Sequence, residues 1–186
     1  AQKLGEVNRE RQKLTEETAE HARNLIGDSL KQRLIFISSE SYNQGVIGLV
    51  AGKLVEEHYL PVIVVSKGKV HSKASARSIN GFNIVEVIRE CSDILVEAGG
   101  HPMAAGFTIE TRYLKILKSR LEEIAQRELT EEKLKKVLKI DCEIDLEEIN
   151  WELYDKICQF SPFGIGNPEP VFLTSGVEVK EIRPVG

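Results

Sequence analysis

The chain has 186 residues, of which 41% are hydrophobic and 29% are charged, a balance typical of a folded globular protein rather than a disordered one. Its longest apolar runs, such as 62–65, are far shorter than the ~20 residues that cross a bilayer, and its three cysteines lack CxxC spacing, which argues against a disulfide framework or a zinc ribbon and favours the reducing cytoplasm. The net charge of −4 argues against a protein that binds polyanions over its whole surface.

The first sixty-five residues predict a helix followed by a βαβ unit. Residues 1–26 form a polar helix whose thin apolar line consists of Leu4, Val7, Leu14, Ala22 and Leu25. Because this line is too narrow to stabilise an isolated helix, we expect the helix to link or pack between domains. Residues 34–37 and 61–65 are apolar strands separated by a helix over 46–59, a pattern that favours a parallel pair.

The glycines at the start of that second helix have two interpretations. A glycine-rich helix start can hold an anion. However, the segment from Gly45 to Gly48 fits neither the P-loop nor the GxGxxG pattern. Close packing of Gly48 and Gly52 against a sheet is therefore the favoured interpretation.

Residues 58–85 form a basic tract without any carboxylate, and 98–109 is a second stretch free of acidic residues. The basic residues of the first tract are Lys67, Lys69, Lys73 and Arg77. From 70 to 78 polar and small residues alternate, which predicts a strand with Lys73, Ser75 and Arg77 on one face. Such a tract can bind a phosphate locally, although a solvated basic face would have the same composition.

The remaining elements divide the chain into domains. The pattern predicts a helix over 83–90, a strand over 94–96, a loop over 99–102 and a sheet-packing helix over 113–129. The pattern changes around 130–139, so we assign a linker helix to 1–28, an α/β domain to 29–132 and a β-rich domain to 133–186. In the last of these we expect strands over 138–144, 170–173 and 177–182 and a helix over 151–160.

The segment 99–107 is the most informative one. Gly99 and Gly100 let backbone N–H groups turn toward an anion, and His101 can donate to a phosphate oxygen. The small residues that follow, Ala104 to Gly106, keep the neighbouring wall of a cleft low. A glycine turn that leads into a strand, with His101 as a cap, is the alternative, and the residue types alone favour it slightly.

Three carboxylates, Asp141, Glu143 and Asp145, alternate along one predicted strand. They have no histidine partner and adjoin further acidic residues, so a solvated acidic face is favoured over a cation site. The sequence also lacks HExxH and GxSxG motifs. We therefore expect no metal site in this chain.

Five segments carry a family resemblance. Residues 99–107, GGHPMAAGF, resemble the GGHxxAAGF signature of the DHHA1 domain, the second domain of DHH-family phosphoesterases. Four more resemble the RecJ family of single-stranded-DNA exonucleases: the linker segment 8–12, the helix start 45–51, the SARS stretch 75–78 and the OB-fold entrance 162–172. The resemblance covers nearly the whole chain.

The resemblance implies an α/β fold in which a DHHA1-type mixed sheet is flanked by helices, with an N-terminal interdomain helix and a truncated OB-fold tail. It implies the substrate-binding half of a 5′→3′ exonuclease of DNA repair and recombination. Ser75 and Arg77 match positions that hold the DNA 5′-phosphate, Gly99, Gly100 and His101 match the loop that faces the scissile phosphate, and Lys73 flanks them. His101 is the catalytic candidate.

The same resemblance implies cofactors and partners. Two Mn²⁺ or Mg²⁺ ions would be bound by a DHH domain that this chain lacks, so we expect the chain alone to be inactive. The partners would be single-stranded DNA with a 5′-phosphate, that DHH domain, and a single-stranded-DNA-binding protein and a helicase, but no membrane. About 45 residues cannot supply the five strands of an OB-fold, so we expect that domain to be incomplete.

Two alternatives have different functions. One is the DHHA1 module of a nanoRNA or cyclic-dinucleotide phosphodiesterase, which should lack the segment 162–170. The other is a non-catalytic nucleic-acid interaction module of a replication protein. The chain also departs from the family pattern, because Tyr42 and Asn43 stand where an aromatic residue and a histidine are usual and Ala74 replaces a glycine.

Overall fold

The computed structural model describes residues 2–26 and 32–183, which fall into two compact units, Ala1–Lys136 and Val137–Gly186. The predicted boundary between linker helix and α/β domain, at 28/29, lies outside the described residues. None of the described helices combines the length and the apolar character that a membrane span requires.

The first unit is built on a five-stranded mixed sheet with the order β1-β2-β3-β5-β4. Its strands are β1 (Ile35–Ser39), β2 (Val62–Ser66), β3 (His71–Arg77), β4 (Leu95–His101) and β5 (Ala104–Glu110). β1 and β2 are parallel, as predicted from their apolar sequences, and the other pairs are antiparallel. The mixed α/β class that the sequence predicted is therefore confirmed.

Four helices cover the two faces of this sheet unequally. They are α1 (Gln2–Ile26), α2 (Ile47–His58), α3 (Ile84–Arg89) and α4 (Leu114–Glu128). α3 and α4 pack with residues of β2, β3 and β5 in one hydrophobic core, whereas α1 and α2 pack with β1 and β2 in a second core on the other face. α2 also reaches β3, where Gly48 lies close to Ser75 and Arg77, whereas β5 and β4 extend beyond those two helices.

The buried face of α1 differs from the predicted apolar line. Leu4, Val7 and Leu25 are exposed. The helix instead buries the small residues Thr15, Thr18, Ala19 and Ala22, whose spacing of three, one and three residues places them on one side of a helix. Small side chains let α1 lie close to its neighbour, and of the predicted apolar line only Ala22 is fully buried, while Leu14 is half-buried.

The predicted loop at 99–102 is also wrong, because Gly99, Gly100 and His101 belong to β4. β4 and β5 form a hairpin whose turn consists of Pro102 and Met103 alone. All residues of β4 after Leu95 are exposed, so the strand has no alternation of apolar and polar residues, and its glycines resemble a turn in the sequence.

The second unit has less regular structure than predicted. A parallel pair joins β6 (Cys142–Glu143) to β7 (Phe172–Leu173), and α5 spans Trp151–Cys158. The predicted strand over 177–182 is not a strand in the structure, and that over 138–144 is reduced to two residues. A strand forms only where a neighbour supplies its hydrogen bonds, and within this unit β6 and β7 have only each other.

Candidate functional site

Nine residues of β3, β5 and β4 share the sheet face that α2 reaches only at β3, and we call this surface the shelf. It consists of Lys73, Ser75 and Arg77 on β3, Ala104, Gly106 and Thr108 on β5, and Glu97, Gly99 and His101 on β4. All are exposed or half-buried except Thr108. Alternation along each strand places them on the face opposite Ala76 and Phe107, which are buried under α3 and α4.

The register of the strands arranges the shelf in three rows. Arg77, Ala104 and His101 form the first row, because Arg77 and His101 both pair with Ala104. Strands lie about 4.8 Å apart, so the Cα atoms of Arg77 and His101 are separated by roughly 10 Å. The sheet therefore brings together the two residues that the sequence nominated from separate segments.

The guanidinium of Arg77 is held from one side. Its Nη1 donates to the Ala76 carbonyl oxygen at 2.9 Å and to Ser75 Oγ at 3.3 Å. Among the described residues, its Nη2 and Nε have no hydrogen-bond partner. The half-buried side chain is thus fixed in direction and keeps free donors, which suits a fork for two phosphate oxygens.

The first turn of α2 lies against this pair. A Cβ atom built on Gly48 would lie 3.0 Å from Ser75 Oγ and 3.2 Å from Arg77 Nη2. The same construction on Gly52, one turn further along the helix, meets nothing within 4 Å. The predicted close packing therefore holds for Gly48, and its neighbours are the two phosphate-binding candidates; Gly52 needs no such space.

The second row of the shelf, Ser75, Gly106 and Gly99, has almost no side chain at its centre. Gly99 is exposed, and a Cβ on it would meet nothing within 4 Å. A ligand can therefore approach the backbone here more closely than over any other residue type. The next residue, Gly100, has φ +146°, and its Cβ would lie 2.4 Å from the Ala104 carbonyl oxygen, so the strand geometry itself requires glycine.

His101 is exposed at the end of the hairpin, and backbone hydrogen bonds fix that end. The amide of Ser78, which follows Arg77, donates to the Met103 carbonyl at 3.0 Å, and the amide of Ile84 donates to the Pro102 carbonyl at 3.0 Å. These bonds tie the turn beside His101 to the end of β3. The imidazole therefore stands on a rigid support at a defined place on the shelf.

The third row consists of Lys73, Thr108 and Glu97. Thr108 Oγ1 donates to Glu97 Oε1 at 2.7 Å, and Lys73 is exposed. Four residues separate Lys73 from Arg77 along β3, which corresponds to about 13 Å. Lys67, from the same basic tract, lies before β3 and pairs with Glu40 at 3.1 Å, so it does not belong to the shelf.

A groove of about 700 Å³ runs between α1 and α2 and reaches Arg77. Its walls include Arg11 and Gln12 on α1 and Leu49 and Lys53 on α2. Three ion pairs link α1 and α2 or lie on α1 beside this groove, and two of them involve its lining residue Glu16 with Arg23 and Lys53. Arg23 pairs with Glu57 at 2.7 Å and with Glu16 at 3.1 Å, and Glu16 also pairs with Lys53.

These contacts shift the carboxyl groups that α1 and α2 share. Hydrogen bonds from Lys53 and from Arg23 lower the pKa of Glu16. The hydrogen bond from Arg23 likewise lowers the pKa of Glu57. The charged forms of both carboxyl groups therefore stabilise the packing of α1 on α2.

The carboxylates of the second unit do not converge on a common point. Asp141 Oδ2 accepts from the Val171 amide, Glu143 Oε1 accepts from Ser175 Oγ, and the side chain of Asp145 caps a short turn. Over residues 2–26 and 32–183, no group of three or more His, Cys, Asp or Glu side chains is arranged to hold a metal ion.

Two family models match this chain. The family model described as the DHHA1 domain matches residues 31–139, which include every residue of the shelf. The chain belongs to the DHHA1 family. The model described as the RecJ OB domain matches residues 140–186.

Several relatives of this DHHA1 protein are named single-stranded-DNA-specific exonuclease RecJ. The one from Bacillus subtilis (strain 168) is 39% identical over 189 residues, covering 100% of this chain and 24% of its own length. The one from Thermus thermophilus is 30% identical over 159 residues, covering 86% of this chain and 22% of its own length. The chain thus spans about a quarter of these relatives.

Solved structures confirm the fold of the DHHA1 protein. A crystal structure of RecJ from Thermus thermophilus in complex with Mn²⁺ superposes with a TM-score of 0.82 at 27% identity, covering 92% of this chain and 25% of that one. A second structure from the same source, in complex with Mg²⁺, gives 0.78 at 28% identity, covering 91% and 26%.

Sequence reasoning named most of the shelf but missed two of its features. It assigned Gly48 to helix packing without its neighbours Ser75 and Arg77, because a contact between α2 and β3 depends on the register of the fold. It also left out the contact between Thr108 and Glu97. The one signal for that contact was the position of Glu97 immediately before the acid-free stretch 98–109.

Proposed function

We propose that this chain is the substrate-binding half of a 5′→3′ single-stranded-DNA exonuclease and holds the 5′-phosphate of the strand. The observation that carries the proposal is the placement of Ser75, Arg77 and His101 on one sheet face, across a floor of glycines. The RecJ relative from Bacillus subtilis, which covers 100% of this chain, supports the same class of substrate.

The chemistry of the first row suits a terminal phosphate. Arg77 has its direction fixed by Nη1, so Nη2 and Nε can donate in parallel to two oxygens of one phosphate, and Ser75 Oγ can donate to a third. A terminal phosphate has three non-bridging oxygens, one more than a phosphodiester. A fork beside a hydroxyl therefore prefers a 5′-phosphorylated end to a 5′-hydroxyl.

His101, roughly 10 Å across the row from Arg77, would contact the next phosphate along the strand. With the 5′ end held at Arg77, the bond to be cleaved lies at a fixed distance from the terminus. Such positioning explains release of one mononucleotide at a time. In this arrangement His101 donates a hydrogen bond to a phosphate oxygen.

The metal chemistry belongs to a different part of the enzyme in this proposal. RecJ structures have been solved with Mn²⁺ and with Mg²⁺, but the described residues of this chain offer no matching ligand group. We therefore assign the metal-dependent step to a DHH domain of the same polypeptide. Three cysteines without disulfides accord with the cytoplasm.

The test is a titration of the chain with short single strands that differ only in a 5′-phosphate or a 5′-hydroxyl, followed by two-dimensional amide NMR. NMR suits half of a binding site, for which a Kd of about 1 mM corresponds to only ~4 kcal/mol. Arg77→Ala is the test variant. Arg112→Ala is the matched control, because Arg112 is exposed and pairs with Glu110, which lies opposite His71, six positions from Arg77 along β3.

We expect shifts at Ser75, Arg77, Gly100 and His101 that require the phosphate, disappear in Arg77→Ala and persist in Arg112→Ala. Equal shifts with both strands would mean a general single-strand binder and would refute end recognition. The chain alone should not hydrolyse the strands. Manganese-dependent cleavage activity that stays with the chain through repeated chromatography would refute that part.

A further inference from the structure

Gly48 is a point of close approach between α2 and the shelf. A Cβ atom on Gly48 would lie 3.0 Å from Ser75 Oγ and 3.2 Å from Arg77 Nη2, and both distances are shorter than ordinary van der Waals contacts. Gly52, on the same helix and in the wall of the same groove, has open space around its Cβ position. The two glycines therefore differ in what a methyl group would do.

We propose that Gly48 is a positioning residue for Arg77: its missing side chain lets the guanidinium lie under the first turn of α2 in the direction that binds a 5′-phosphate. This inference rests on the proposed function and deepens it. Gly48 contacts Arg77 and Ser75, and it acts on the ligand only through them.

The surroundings determine which group must move if Gly48 gains a methyl. α2 is anchored by Ile47, Val50, Ala51 and Leu54, all of which are buried, so the helix cannot shift without loss of core contacts. β3 is hydrogen-bonded on both sides, to β2 and β5. The side chains of Ser75 and Arg77 are therefore the groups that rotate away.

Rotation of Arg77 would cost binding in a specific way. The contacts of Nη1 with Ala76 and Ser75 hold the fork while Nη2 lies beside Gly48. A displaced guanidinium keeps its charge, so general attraction to a polyanion persists. What is lost is the aligned pair of donors, and with it the preference for the phosphorylated end.

The experiment compares Gly48→Ala with Gly52→Ala in the same chain, by NMR titration with 5′-phosphorylated and 5′-hydroxyl strands. We expect Gly48→Ala to weaken binding of the phosphorylated strand at least fivefold, with binding of the hydroxyl strand unchanged. Gly52→Ala should retain the wild-type preference and fold at least as stably, because alanine favours a helix more than glycine does.

A double variant separates this inference from the proposed function. If Gly48 acts through Arg77, then Gly48→Ala causes no further loss in an Arg77→Ala background. Full phosphate preference in Gly48→Ala, alongside its loss in Arg77→Ala, would overturn the positioning role and leave the proposed function intact. If Arg77→Ala instead retains the preference for the phosphorylated strand, the proposed function is refuted. The positioning role is then tested by the Arg77 Nε–Hε resonance. It fails if Gly48→Ala leaves the chemical shift of this resonance unchanged.

A second variant covers the case in which Gly48→Ala does not fold. Ser75→Ala removes the hydroxyl that the methyl would meet at 3.0 Å and leaves the contact with Arg77 Nη2. Gly48→Ala/Ser75→Ala should then fold, and it should show a lower phosphate preference and a shifted Arg77 Nε–Hε resonance relative to Ser75→Ala alone. An unchanged resonance and preference would overturn the proposal.

Discussion

Gly99 and Gly100 are neighbours in β4, yet the structure predicts opposite effects when each is replaced by alanine. Gly100 has φ +146°, and a Cβ on it would lie 2.4 Å from the Ala104 carbonyl oxygen and 2.5 Å from Ala105 Cα. Both of those atoms belong to the backbone of the paired strand. Gly99 has open space at the same position, on the shelf.

The magnitudes follow from these two environments. A residue held in a sparsely populated backbone region costs about 1–3 kcal/mol, and an overpacked contact costs about 1–3 kcal/mol more. Gly100→Ala should therefore lower the free energy of unfolding by roughly 4 kcal/mol. Gly99→Ala should be neutral or stabilise the chain by about 0.5–1 kcal/mol, because alanine loses less entropy in a strand than glycine.

Urea unfolding followed by circular dichroism measures both effects. With a slope of ~2 kcal/mol per molar, the midpoint of Gly100→Ala should fall by about 2 M while that of Gly99→Ala stays or rises. Gly99→Ala should nevertheless weaken binding of a 5′-phosphorylated strand, since its methyl covers the bare floor beside Gly106. Equal destabilisation by the two variants, or a loss below about 1 kcal/mol for Gly100→Ala, would refute this account of the hairpin.

Three further predictions concern other parts of the first unit. Lys73→Gln should reduce the slope of log affinity against log salt by about 1 without removing the preference for a 5′-phosphate, as measured by titration at several salt concentrations. Lys53 and Arg23 lower the pKa of Glu16, so their contribution to the packing of α1 should be complete above about pH 4.3 and lost as the pH falls through the lowered value; thermal melts from pH 3 to 7 should show a smaller acid loss in Arg23→Ala. Burial raises the pKa of the Cys91 thiol, so mass spectrometry after native alkylation should show modification of the two exposed cysteines and not of Cys91.

The sequence was sufficient for the fold class because burial leaves a strong pattern. Val62 to Val65 are fully buried between two helical layers, and their uninterrupted apolar run correctly predicted a buried strand that pairs in parallel with β1. The stripe of Leu114, Leu117, Leu121 and Ile124 predicted the face of α4 that packs on the sheet. Where an element buries large apolar side chains, their spacing in the sequence predicts both its type and its packed face.

The failures have the opposite physical cause. β4 lies at the sheet edge with both faces exposed after Leu95, so no hydrophobic period marks it, and hydrogen bonds to β5 alone determine its conformation. α1 packs through Thr15, Thr18, Ala19 and Ala22, which a search for large apolar residues passes over. Backbone pairing and small-residue contacts leave little trace in hydropathy.

The candidate site was predictable residue by residue but not as an arrangement. Alternation along β3 placed Ser75 and Arg77 on one face, and this holds in the structure. That His101 shares a row with Arg77 depends on two strand registers, and neither register is encoded in the spacing of motifs. The contact of Gly48 with the pair depends further on the position of α2.

In the proposed function, the distribution of charge on the shelf favours binding of the 5′ end of a strand at the first row. Arg77 and His101 lie in the first row, whereas Glu97, the one carboxylate among the shelf residues, lies in the third row, about 13 Å away along the strands. That separation exceeds the Debye length of roughly 8 Å at physiological ionic strength, so Glu97 barely weakens the attraction at Arg77. A terminal phosphate carries more charge than a phosphodiester, and it therefore gains most at the first row. In the proposed function, this asymmetry favours the phosphorylated end of a strand over its middle.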